Sequence, residues 1–235
     1  MNSADIAERI ASCLQLKKQP IALALVEEPA KGIDQATDRV PSPCAFWIRA
    51  EKGTFFASAG HHFNCPVGAM VMGFTLPDAV NAELMTLVRR MYDCNYLCSD
   101  EVPKIPFVSK AKAGIVYGLL KDFPIEPDGL LFWINPKQLM IFCEAAGISN
   151  WLANAESTSS GRPACAVIPL AIEKNQTAVS LGCMGMRTFT GVGDDLLLAA
   201  IPSQQASEFL GRLEITIRAN ANMEEFYESR RVAFA

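Results

Sequence analysis

Two phrases that each carry a pair of cysteines recur along the chain. The first reads SPCAFW and then HFNCPVGAMVMGF; the second reads RPACAVIP and then SLGCMGMRTFTG. Cys44 and Cys65 are 21 residues apart, and Cys165 and Cys183 are 18 apart. Four thiolates are the ligand set of an iron–sulfur cluster or a structural zinc. The spacing is dispersed, without the short C-x-x-C pair, so only a fold that brings the two halves around one centre could unite Cys44, Cys65, Cys165 and Cys183. Local details suit such a loop. Pro66 after Cys65 removes an amide that would otherwise need a partner, and Gly182 before Cys183 permits unusual dihedrals. The competing reading is that two or more of the four are core cysteines, since free cysteine is among the most buried residue types.

Other residues could shape a pocket beside the thiols. Arg187, in GMRTFTG, could clamp a carboxylate or phosphate through its planar fork, or pair with Asp194 or Asp195. Arg162, before Pro163, is a similar candidate. Trp47 could stack on a flat ligand, although core packing is the commoner role of such a ring. His61 and His62 are the only histidines. Adjacent side chains diverge, so one of them, with His62 the nearer to Cys65, could serve as ligand or base. Met184 and Met186 offer a minor option as haem ligands, with no C-x-x-C-H to attach haem covalently. Cys94 and Cys98 can share a helix face but lack a second pair, and Cys13 and Cys143 fall in helical apolar patterns; all four read as structural. No P-loop, G-x-G-x-x-G, H-E-x-x-H or G-x-S-x-G motif is present.

Composition narrows the class. A chain of 235 residues that is 50% hydrophobic and 20% charged fits one compact domain over residues 1–235 with a substantial core, divisible into halves at 20–147 and 148–235. The net charge of −4 argues against nucleic acid, which wants a basic face. Apolar runs such as Gly129–Ile134 are too short to span a bilayer, and the N-terminal segment reads as an amphipathic helix and not a secretory signal. The expected location is the cytoplasm. There, eight cysteines point to metal or catalytic roles before disulfides.

The elements that must position these residues follow from period and punctuation. A helix is expected over Ser3–Leu16, capped by Asn2 or Ser3. Strands are expected at IALALVEEP, closed by Pro29, and at Cys44–Ile48, with Thr54–Ala57 as the return of a hairpin. Helices should begin at Pro66 and Pro77. Gly114–Leu119 and Gly129–Asn135 read as strands. Asn135–Pro136 opens a helix that Gly147 closes. Asn154–Gly161 reads as a polar loop. Cys165–Pro169, Ala178–Leu181 and Asp195–Ile201 read as strands, followed by a long helix from Pro202. LLFWINPKQLMIF and LLLAAIPSQQASEF both read as strand, proline, helix, which extends the repeat. The expected fold is α+β: two pseudo-repeated halves with a mixed or largely antiparallel sheet packed by helices.

The phrases PSPCAFW (41–47), HFNCPVGA (62–69), VPKIP (102–106), GIVYGLL (114–120), LFWINPKQ (131–138), GRPACAVIP (161–169) and SLGCMGMRTFTG (180–191) together resemble the bacterial and archaeal family called domain of unknown function 169. The resemblance runs over roughly residues 20–212. It implies a single-domain protein of a kind common in anaerobic microbes, and it brings no agreed activity, substrate or cofactor. The residues themselves favour a metal or iron–sulfur cluster on the four repeat cysteines with a redox or cofactor-related role, and a cofactor-free protein is equally compatible. The alternatives are a metal-free small-molecule-binding protein or cysteine-dependent enzyme, and a non-catalytic interaction protein with structural cysteines. A small molecule or redox protein is the expected partner, and a homodimer is compatible with two similar halves.

Overall fold

The structure, a computed structural model, describes residues 2–29, 31–37, 39–98, 105–109, 112–148 and 162–233. Six strands form one open antiparallel sheet: β1 (Ile21–Val26), β2 (Phe55–Ser58), β3 (Gly114–Leu119), β4 (Gly129–Ile134), β5 (Ala178–Ser180) and β6 (Leu197–Pro202), in the order β2-β3-β1-β4-β6-β5. The fold is α+β. Alternate strand residues serve two apolar layers. Leu23, Tyr117, Leu131, Trp133 and Leu198 face one, and Ala22, Leu130, Phe132 and Ile201 face the other.

The second layer is covered by α1 (Ser3–Leu14), α6 (Pro136–Ala146) and α9 (Ala206–Ala233). Helix α1 is capped by the Asn2 side chain, which accepts from the Asp5 N–H at 2.8 Å. Helix α6 is closed by a capping box between Asn135 and Gln138, with Pro136 in its first turn and Gly147 left-handed at its end. The first turns of α9 bury Phe209, Leu210 and Leu213. The expected ends of α1 and α6 agree with the observed ones to within two residues, while α9 begins at Ala206, after a 3-10 turn (Ser203–Gln205) that follows the expected start at Pro202. No helix among the described residues is long and apolar enough to cross a membrane.

Short helices cover the first layer: α2 (Cys44–Arg49), α3 (Ala59–His62), α4 (Pro66–Val71), α7 (Val167–Lys174) and α8 (Met184–Thr190), together with the longer α5 (Asp78–Asp93). Here two expectations are corrected. Cys44–Ile48 is not a strand but helix α2, and no hairpin joins it to β2. Cys165–Pro169 is not a strand but a 3-10 turn (Ala164–Ala166) running into α7. A four- or five-residue apolar run carries too little period to separate strand from helix. What decides is packing against a sheet already complete, and proline placement. Pro43 occupies the N-cap of α2, and Pro169 lies in the first turn of α7, where no intrahelical N–H is needed. The Asn154–Gly161 loop lies outside the described residues.

The strands divide evenly at the β1–β4 pairing. On each side the order outward is first, third, second: β1-β3-β2 and β4-β6-β5. The registers agree as well. The last residue of the third strand faces the first residue of the first, Leu119 against Ile21 and Pro202 against Gly129. A 3-10 turn then follows in both, and its first N–H donates to the carbonyl just before the first strand: Leu120 to Pro20 at 2.9 Å, Ser203 to Asp128 at 3.2 Å. This division falls between β3 and β4, earlier than the 147/148 boundary expected from sequence. It makes β3, and not β4, the counterpart in the sheet of β6. Both β4–α6 and β6–α9 are strand, proline, helix as expected.

Candidate functional site

All four repeat cysteines line one cavity of about 780 Å³ on the first face of the sheet. Each stands at the start of a helix or helical turn. Cys44 opens α2 and Cys165 lies in the turn before α7; both elements precede the second strand of their side. Cys65 is the N-cap of α4 and Cys183 the N-cap of α8; both follow that strand. The helical form of these segments is what aims them. At a spacing of three, Cys44 shares a face with Trp47, Cys165 with Ile168 and Cys183 with Met186, and every one of these residues lines the cavity. In a strand, positions three apart would face opposite sides.

The thiols feel one another. Cys65 and Cys183 act on Cys44, and Cys44, Cys65 and Cys183 all act on Cys165. The Ser42 hydroxyl donates to Cys44 Sγ at 3.5 Å and also favours the Cys65 thiolate. Backbone N–H groups reach the two N-cap sulfurs: Met186 donates to Cys183 Sγ at 3.5 Å, and those of Gly68 and Val67 favour ionised Cys65. Burial works against ionisation and prevails. It pushes Cys44 up to about 12, raises Cys65, and raises Cys165 well above the usual thiol range. Three of the four are therefore protonated at neutral pH until something with stronger affinity for sulfur takes the proton's place. Among the described residues, no group of three or more His, Cys, Asp or Glu side chains is gathered tightly enough to hold a metal ion. The thiols surround a space and not a point.

The remaining walls are mostly apolar, with Asn64, Arg162 and the tyrosines as the polar exceptions. Leu84, Leu87, Val88 and Met91 of α5 present an i, i+3, i+4, i+7 stripe to the cavity. Only Leu84 of that helix is buried, and α4 is its main packing partner. Trp47 is 1% exposed, and its indole N–H has no acceptor among the described residues. Trp133 lies 6.1 Å away, ring to ring, with its own N–H buried and likewise unmatched among the described residues.

The other expected site residues separate. Arg162 is exposed at the cavity, its guanidinium 4.2 Å over the Tyr96 ring. Arg187 points away from the cavity and donates to three carbonyls, Leu181 at 2.7 Å, Leu196 at 3.1 Å and Gly193 at 3.3 Å, tying the loops on either side of α8 together. No acid is needed for that role, and its donors to those loops are spent. His62 is fully buried behind Tyr117. Its Nδ1 lies 2.8 Å from the Ser58 carbonyl and so carries the proton; its Nε2 lies 3.0 Å from the Tyr117 hydroxyl and accepts from it. Burial brings His62 down to about 4, so the ring is neutral. Tyr117, which sequence reading missed, lines the cavity and is held by this histidine. His61 turns outward and closes the N-terminus of α3 with Ser58. Cys94 and Cys98 are exposed, while Cys13 and Cys143 pack at the edge of the second layer. The signal that could have found Tyr117 and the α5 stripe was their apolar period, which reads as core until a cavity is seen beneath it.

The family model for domain of unknown function 169, described as uncharacterised ArCR, matches residues 9–212. No curated protein and no solved structure matches the chain.

Proposed function

We propose that this chain, which belongs to the domain of unknown function 169 family, holds an iron–sulfur cluster on Cys44, Cys65, Cys165 and Cys183 and serves a redox or cofactor-related role in the cytoplasm. The observation that carries the reading is convergence. Four cysteines from four separate segments, two on each side of the β1–β4 junction, line one apolar cavity and act on one another. A single zinc with bonds of about 2.3 Å would draw four sulfurs to within roughly 3.8 Å of each other. A cluster binds each cysteine on its periphery and spaces them more widely, which suits thiols set around a space. N–H groups directed at Cys65 and Cys183 favour bound sulfur, and N–H bonds to sulfur together with an apolar surround are the levers by which a protein tunes a cluster. The unmatched Trp47 N–H is a further donor beside the cavity. Internal duplication is part of the proposal, and the shared strand order and register support it.

Protein purified or reconstituted with iron and sulfide under strict anoxia should be brown and contain both elements. Serine at any one of the four cysteines should abolish or sharply lower the iron content. Colourless, iron-free protein after such reconstitution would overturn the reading.

The size and apolarity of the cavity favour a second reading, a metal-free protein that binds a small molecule. Ligand pockets fall in the range of about 300–1,000 Å³. A nucleophilic role for Cys65 gains nothing from the structure's electrostatics, because burial raises its pKa where an attacking thiol needs it lowered.

A further inference from the structure

We infer that the cavity binds a small carboxylate with a largely apolar body, its charged end set against Arg162. The inference rests on the second reading, in which the cavity takes a small molecule and no metal. Among the described residues lining the cavity, Arg162 is the sole charged side chain. Its recorded partner is the Tyr96 ring, and no described carboxylate pairs with it. A positive charge at the edge of an apolar space selects for an anion and disfavours a cation, since no acid among the described lining residues could receive one. The guanidinium, held over the Tyr96 ring, carries the planar fork that matches the two oxygens of a carboxylate.

The position of that charge relative to the thiols is fixed. The Tyr96 hydroxyl, beneath Arg162, accepts from the Met184 N–H at 3.4 Å, and Met184 follows Cys183 directly. The carboxylate therefore meets the protein on the Cys183 side. The apolar body faces the α5 stripe. The lining is open there: Met85, Met184 and Phe189 are 61%, 65% and 43% exposed while contributing to the cavity wall. Exposed flexible methionines around an apolar recess are a surface that adapts to a ligand, not a sealed core.

Calorimetric titration of the full chain with four probes tests this: decanoate, 1-decanol, decyltrimethylammonium and acetate. Decanoate should bind most tightly. Arg162→Ala should weaken decanoate roughly 10- to 100-fold, the loss expected for a charge-assisted pair, and bring it to the level of 1-decanol. Arg162→Lys should restore part of the loss. Unchanged thermal unfolding of both variants checks that the fold is intact, as an exposed side chain predicts. Equal binding of decanoate and 1-decanol, or indifference to Arg162→Ala, would overturn the assignment of the anion while sparing the cavity. Binding of acetate as tight as decanoate would overturn the apolar body. No binding by any probe would remove the inference together with the small-molecule reading. The titration is run on iron-free and on reconstituted protein, so that decanoate binding without iron uptake, or the reverse, separates this inference from the cluster proposal.

Discussion

Burial decides the chemistry of single residues in this protein, and in a direction that can be measured. Three cavity thiols have their pKa raised by desolvation, and alkylation proceeds through the thiolate. Iodoacetamide near pH 8 should therefore label the exposed Cys94 and Cys98 first and Cys44 and Cys165 last, read by mass spectrometry of digests taken over time. Preferential early labelling of Cys65 would instead favour the thiol-enzyme alternative. Metal or cluster uptake must displace those protons, so loading should improve as pH rises. His62 gives the opposite handle. Its folded pKa of about 4 lies below the unfolded value of about 6.5. The unfolded state thus binds more protons between those values, and stability present above pH 6.5 is lost as pH falls toward 4. The full loss amounts to about 3 kcal/mol. Thermal unfolding between pH 7 and pH 4.5 should show it, and His62→Asn should flatten the profile. Gly182 sits at φ +95° just before Cys183. Alanine there should cost about 1–3 kcal/mol in denaturant unfolding and lower iron retention by displacing the Cys183 loop.

The elements show what a sequence can and cannot reveal about such a site. Capping and punctuation made α1, α6 and the start of α4 legible: Asn2, the Asn135–Gln138 box, Gly147 and Pro66 each have a local physical meaning. The strands β1, β3, β4 and β6 were legible from unbroken apolar runs. The two segments that open with Cys44 and Cys165 were misread as strands because their conformation is set by what they pack on. That error concerns the site directly, since only the helical form places Trp47 beside Cys44 and Ile168 beside Cys165. The cysteines themselves were legible through their repeated context. The roles of Arg187 and His62 were not, because an arginine that binds carbonyls and a histidine that supports a tyrosine leave no pattern in the chain. Helix α5 offers a test at this scale. Its apolar stripe faces a cavity, and only Leu84 is buried. Leu84→Ala should destabilise by about 2 kcal/mol, the low end for a buried leucine. Met85→Ala should stay within about 0.5 kcal/mol as a surface change. Equilibrium urea unfolding of the two variants checks the contrast.

For the whole molecule, the consequence of the proposed site is mechanical coupling between its two sides. The sheet is continuous across β1 and β4, but that junction has only three paired positions, fewer than the six of β1–β3 or β4–β6. A group bound by Cys44 and Cys65 on one side and by Cys165 and Cys183 on the other would clamp the helices that flank this narrow seam. A species that binds only the folded state stabilises it by mass action, by about 2.7 kcal/mol at a free concentration about 100 times its Kd. For a chain of this length each kcal/mol raises the midpoint by roughly 2–4 °C, so loading should raise it by roughly 5–10 °C. The pattern among variants tells more than the size of the shift. If the four thiols serve one centre, Cys44→Ser and Cys165→Ser should each erase the gain, and the double variant should lose no more than either alone. If each side bound its own metal, single variants would keep about half the iron and half the gain, and the losses would add. Iron content and unfolding midpoint, measured together on the three variants, decide between one shared centre and two independent ones. Additive losses would remove the shared site from the proposal.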